Sequence, residues 1–148
     1  MMRGSLKIFV KDQRAASEAI SYLALALVVI YILVQFVEIV NIEVSNIAVV
    51  MAYKKGLDRM QIDGGLTEQT KEDIKKYLAD FGLDSDKVTV DGTSAHQDWG
   101  NDVYLSVSYK KEYYKYSLVS LMDLRKTKDS KILFKDGTTT SYYADNNS

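Results

Sequence analysis

Glu18 is the residue whose type and place ask for a chemical explanation. It stands at the edge of the stretch RAASEAISYLALALVVIYILVQ, which begins at Arg14. An ionised carboxylate is costly in hydrocarbon. Two readings need nothing beyond the chain itself. In the first, the acid lies at headgroup depth and Arg14, one helical turn back, is its i,i+4 partner, a pair worth about 0.3–0.5 kcal/mol. In the second, desolvation raises the carboxyl pKa and the neutral acid enters lipid more cheaply.

Elsewhere the residues that do chemistry are sparse. His96 is the one histidine and there is no Cys, so disulfides, thiolate metal sites and a histidine-based metal cluster within one chain are excluded. His96 sits in the polar segment TSAHQDWGND and reads as an exposed loop residue. Asp91, Asp98 and Asp102 have oxygens suited to calcium, but their spacing fits no EF-hand loop. VDGTSAH and IDGG read as turns, and there is no glycine-rich phosphate cradle, serine elbow or H-E-x-x-H. YKKEYYKY interleaves cations and aromatics, as single-strand binders do. In a strand pair the same residues are ordinary edge and outward positions. The expectation is a protein without catalytic residues, cofactor, metal, nucleic acid or small-molecule substrate.

The elements that must carry Glu18 fall into three segments of different physics. Residues 1–14 hold Arg3, Lys7, Lys11 and Arg14 against Asp12, a net +3 that leaves −4 for the rest of a 148-residue chain whose total is −1. Residues 19–37 have no charge, with Ser21 and Gln35 as the strongly polar members. As a helix they span about 28 Å, close to the thickness of a bilayer's hydrocarbon. Tyr22 and Phe36 lie near the two ends, where such rings favour the interface. A basic flank on the N-terminal side predicts a cytoplasmic leader and an extracytoplasmic C-terminal domain. The apolar run is too long for a usual signal peptide and no A-x-A site follows, so the reading is an uncleaved single-pass anchor in the cell membrane. The bilayer is then one partner.

Helical periodicity continues beyond the apolar run. Gln35, Glu38, Asn41 and Ser45 recur every three or four residues as a narrow polar stripe. The complementary face is broad and apolar, and it predicts that Ile39, Val40, Ile47 and Val50 are buried, against the chain's own sheet or against a neighbouring copy. Gly56 is the expected stop, giving one long helix over 15–55 and a domain over 56–148. Within that domain Thr67 is a candidate N-cap, Glu68 and Glu72 load the first turns, and Gly82 closes a second helix with Ile74, Leu78 and Phe81 on one face. Strands are expected at 87–90, 102–109, 113–121, 131–134 and 138–143, with hairpins at Lys110-Lys111-Glu112 and Asp136-Gly137. The fold class is therefore α+β: a long N-terminal membrane-spanning helix continuing into a small domain with a short helix and an antiparallel sheet.

This order of parts resembles type IV pilins and pseudopilins, and more closely the TadE-like pseudopilins and related one-helix proteins of bacterial conjugative elements. RMQIDGG, YLADFGLDSDKVTV, DVYLSVSY and GTTTSYY match the family's helix end, short helix and strands. The resemblance implies a peptidase cut between Gln13 and Arg14, with Arg14 the first mature residue and Glu18 the fifth. Family members usually carry Gly where this chain has Gln13. It also implies a third role for Glu18, the meeting of a positive group on a neighbouring subunit during assembly. The groups available are the freed amine or a neighbour's Arg14, and the pair would act more as a register device than as a source of stability. The expected function is a structural subunit of a filament, secretion or conjugation apparatus, with copies of itself or other pilin-like subunits as partners. The alternative is a monomeric anchored accessory protein that presents a tyrosine-rich sheet, eleven Tyr in all, to a protein partner.

Overall fold

In the computed structural model the described residues are 3–120 and 123–144, with side chains described for 15–117 and 125–144. The chain is an α+β protein with a long apolar N-terminal helix, a short helix and a three-stranded antiparallel sheet. Helix α1 covers Arg3–Asp63. With no Pro in the chain, nothing deletes an i→i−4 hydrogen bond along it. The helix bounds expected at residues 15 and 55 are thus corrected to Arg3 and Asp63.

The expected stop at Gly56 fails because this glycine serves packing. A Cβ built there would lie 2.6 Å from Ile74 Cδ1 and 3.0 Å from Leu105 Cδ2. Its missing side chain lets helix α2 and the sheet approach the α1 backbone. The actual stop is Gly64, at φ 70, the left-handed conformation that ends helices.

Helix α2, Glu68–Asp80, begins where the sequence placed it. Thr67 Oγ1 accepts from the Thr70 amide at 3.1 Å. At the other end the amides of Gly82 and Leu83 donate to Ala79 and Leu78 carbonyls at 2.8 and 3.1 Å, a Schellman closure. Ile74 and Leu78 are buried as expected. Phe81 is not: it follows the helix as its C-cap, is exposed, and its ring lies 5.1 Å from that of Tyr77.

The sheet has the order β1–β2–β3, with β1 Val88–Gly92, β2 Asp102–Ser120 and β3 Asp123–Thr140. β1 pairs antiparallel with β2 from Val88↔Tyr109 to Gly92↔Leu105. The alternation read from the sequence holds: Val103, Leu105, Val107 and Tyr109 are buried, while Tyr104, Ser106 and Ser108 are half-buried. Both expected hairpins are corrected. β2 runs straight through Lys110-Lys111-Glu112, which has no Gly or Asn to take the positive φ of a tight turn. β3 runs through Asp136-Gly137, where the glycine makes room for the Tyr53 ring end rather than for a turn.

By compactness the chain divides into two units. One is Met1–Ile39 with Tyr114–Thr127; the other is Val40–Tyr113 with Lys128–Ser148. The hydrophobic core lies in the second unit. Ala48, Val49, Ala52, Tyr53 and Met60 of α1 meet Ile74 and Leu78 of α2 and Val88, Val103, Leu105, Val107 and Leu133 of the sheet.

Candidate membrane and assembly surface

The part of α1 from Ala15 onward is long and apolar enough to cross a membrane. Glu18 lies on it and is exposed. Gln13 and Arg14 are helical, so Arg14 does stand one turn before Glu18, but their side chains lie outside the described residues. Ser21, one of the two polar members of the apolar run, is satisfied locally: its Oγ donates to the Ser17 carbonyl at 2.9 Å.

Gln35, the other, is satisfied from across the first unit. Its side-chain amide donates to the Tyr116 carbonyl, and Tyr31 Oη donates to the same oxygen at 3.2 Å. One face of α1, carrying Tyr31, Val34, Gln35 and Glu38, is half-buried, while Ile32, Leu33, Phe36 and Val37 around it are exposed. The reason Tyr116 is available lies in the sheet. β1 ends its pairing at Tyr109, so β2 from Lys110 onward has no β1 partner on that edge. Unpaired strand edges need a cover, and here helix side chains supply donors to it. The sequence held half of this signal, since Gln35 was visible as a lone amide in an apolar run. Tyr116 was not identifiable, because a backbone carbonyl has no residue signature.

The second unit reverses the expected polarity of the helix. Its buried face is Ser45, Ala48, Val49, Ala52, Tyr53 and Gly56. Ser45, a member of the polar stripe, is 3 % exposed, and its hydroxyl donates to the Asn41 carbonyl at 2.8 Å. The apolar residues expected on the sheet lie outside: Val40, Ile47 and, in the first unit, Ile39 are exposed, and Val50 is half-buried. Burial against the chain's own sheet is therefore corrected for Ile39, Val40 and Ile47. Ser45, Ala48, Ala52 and Gly56 intersperse small residues among Val49, Tyr53 and Met60 on this face, and at Gly56 the side chains of Ile74 and Leu105 come so close that a larger residue would overpack the gap.

Val40, Val44, Ile47 and Met51 are 42 %, 51 %, 53 % and 48 % exposed and follow one another at steps of four, three and four. That is the spacing of a coiled-coil seam. The same steps lead back in the sequence through Val37 to Leu33.

The polar surface of the second unit is held by exposed ion pairs. Glu112 Oε2 receives Lys87 Nζ at 3.0 Å and Lys128 Nζ at 3.1 Å. The hydrogen bonds from these two ammonium groups hold the Glu112 carboxyl below its ordinary range, and the bond to Glu112 holds the Lys87 ammonium above its own. Arg59 pairs with Asp73 and with Asp63. His96 is exposed, at φ 70, with its ring edge on Tyr143 at 5.3 Å. Among the described residues no three His, Cys, Asp or Glu side chains come together as metal ligands would. Compared with protein-family models, with curated proteins and with solved structures, the chain matches none.

Proposed function

We propose that this chain is a membrane-anchored structural subunit of pilin-like plan, held by α1 and associating with copies of itself through the outward face of that helix. The observation that carries the reading is the stripe Val40, Val44, Ile47 and Met51. It lies past the apolar run, so lipid tails do not account for it, and a contiguous apolar face in water calls for a cover. A second helix with the same seven-residue period fits it knob into hole. A second copy presents this same stripe, so pairing of two copies would cover both stripes at once. On this reading the basic leader is cytoplasmic and the α+β domain extracytoplasmic. Glu18 serves register between helices in the bilayer, and the apparatus is a filament or an envelope-spanning secretion or conjugation assembly.

The test is sedimentation of the full chain in detergent across a concentration series. The parent should move from monomer to larger species as it is concentrated. Ile47→Glu places a charge on an exposed position, so the fold stays intact while association is lost. A parent that remains monomeric throughout would favour the monomeric accessory protein instead.

A further inference from the structure

We infer that the β2 segment Tyr114 to Ser117, with Lys126 of β3 beside it, is a second membrane contact, seated in the lipid headgroup boundary at the C-terminal end of the α1 span. The inference rests on the anchoring part of the reading above. Its geometry lies wholly within the first unit.

Gln35 is two residues and Tyr31 six residues before Val37, the end of the apolar run, which sets them about 3 Å and 9 Å along the helix from that end. Both donate to the Tyr116 carbonyl. Whatever depth the helix takes, this strand segment shares it. A free strand edge inside hydrocarbon would leave polar backbone groups unpaired. The Tyr116 carbonyl, brought against the span, is met by two donors, which matches a segment entering the boundary region. Gln35 is explained by the same contact, since an amide in an apolar span is tolerated when it is bonded.

The side chains around this contact are those that favour the boundary. Tyr114 and Tyr116 combine an apolar ring with a hydroxyl, and Lys126 Nζ stands 3.6 Å from the Tyr114 ring centroid. Residues 114–127 carry Lys115, Arg125 and Lys126 against Asp123, a net +2 that suits anionic headgroups.

The probe is a tryptophan at Tyr114, which is 40 % exposed. Trp99, the one native tryptophan, is first removed as Trp99→Phe, and Tyr114→Trp is added. The full chain is reconstituted in phosphatidylcholine–phosphatidylglycerol vesicles, and its flotation with them is measured. Emission is then read with lipids spin-labelled near the headgroup and, separately, with aqueous acrylamide. The expected result is co-flotation, a blue-shifted emission and loss of most of it to the spin-labelled lipid. Flotation with quenching by acrylamide alone would place this strand segment in water and overturn this inference while leaving the anchor standing. Flotation with protection from both quenchers would mean that protein covers the site, and it would also overturn the inference. Failure to float would overturn the anchor and this inference together.

Discussion

The reversed helix face makes a quantitative contrast between two neighbouring apolar residues. Val49 is fully buried and Ile47 is 53 % exposed, yet hydrophobicity alone ranks Ile47 as the better core residue. Val49→Ala removes two methyl-sized groups from the contact of α1 with the sheet. At about 0.8 kcal/mol for each, plus a cavity term, the loss is about 2 kcal/mol. Ile47→Ala removes a larger side chain from solvent, and alanine is the better helix former, so its effect stays within about 0.5 kcal/mol. For a chain of this size about 2 kcal/mol lowers the melting temperature by roughly 5 °C. The assay is thermal melting followed by tyrosine near-ultraviolet circular dichroism, in detergent at concentrations where the chain is monomeric. Equal destabilisation by the two variants, or a larger effect of Ile47→Ala, would refute the assignment of the inner face.

Two further outcomes follow from particular side chains. The Glu112 carboxyl is held low by Lys87 and Lys128, so its contribution is present above the unfolded value near 4.5 and is lost as pH falls through the lower folded value. Lys87 is raised, so its contribution is present below 10.5 and lost as pH rises through the higher folded value. Carboxyl titration by NMR should show the Glu112 pKa rising towards 4.5 in Lys87→Gln, and an unmoved titration would remove the pair as the cause. Glu18→Gln keeps the shape and removes the charge; membrane insertion should be normal while incorporation into larger complexes falls. Assembly equal to the parent's would leave Glu18 as an interfacial residue only.

Much of the fold could be read from local chemistry, and the misses have definite causes. Helix α2 was legible because its signals are local: a threonine that caps, acids that follow it, and a glycine that closes it. The buried run from Val103 to Tyr109 was legible because alternation is a two-residue property. The single strand through Lys110-Lys111-Glu112 was not, because a charged break between apolar runs looks like a turn. In the structure the charge has a cross-strand purpose, since Glu112 binds Lys87 of the segment before β1 and Lys128 of β3. The missing Gly or Asn at those positions was the available warning. The inner face of α1 was misread for a related reason. Periodicity marks which residues are apolar, whereas this face mixes small residues with Val49, Tyr53 and Met60, and Ala48, Ala52 and Gly56 give a weak signal on a hydrophobicity scale. Among the candidate site residues, Glu18 was identifiable by its chemistry, and its exposed place on α1 fits either an interfacial or an assembly role.

The proposed meeting of copies through the stripe at Val40, Val44, Ile47 and Met51 can be measured directly, because the chain has no cysteine. Single cysteines are introduced one at a time from residue 39 to residue 52, and disulfide dimers are scored after mild oxidation of intact membranes. Dimer yield should peak at Val40→Cys, Val44→Cys, Ile47→Cys and Met51→Cys and fall to background at Ser45→Cys, Ala48→Cys and Ala52→Cys. Uniformly low yield around the helix, or maxima on the Ser45–Ala52 face, would contradict the proposed meeting.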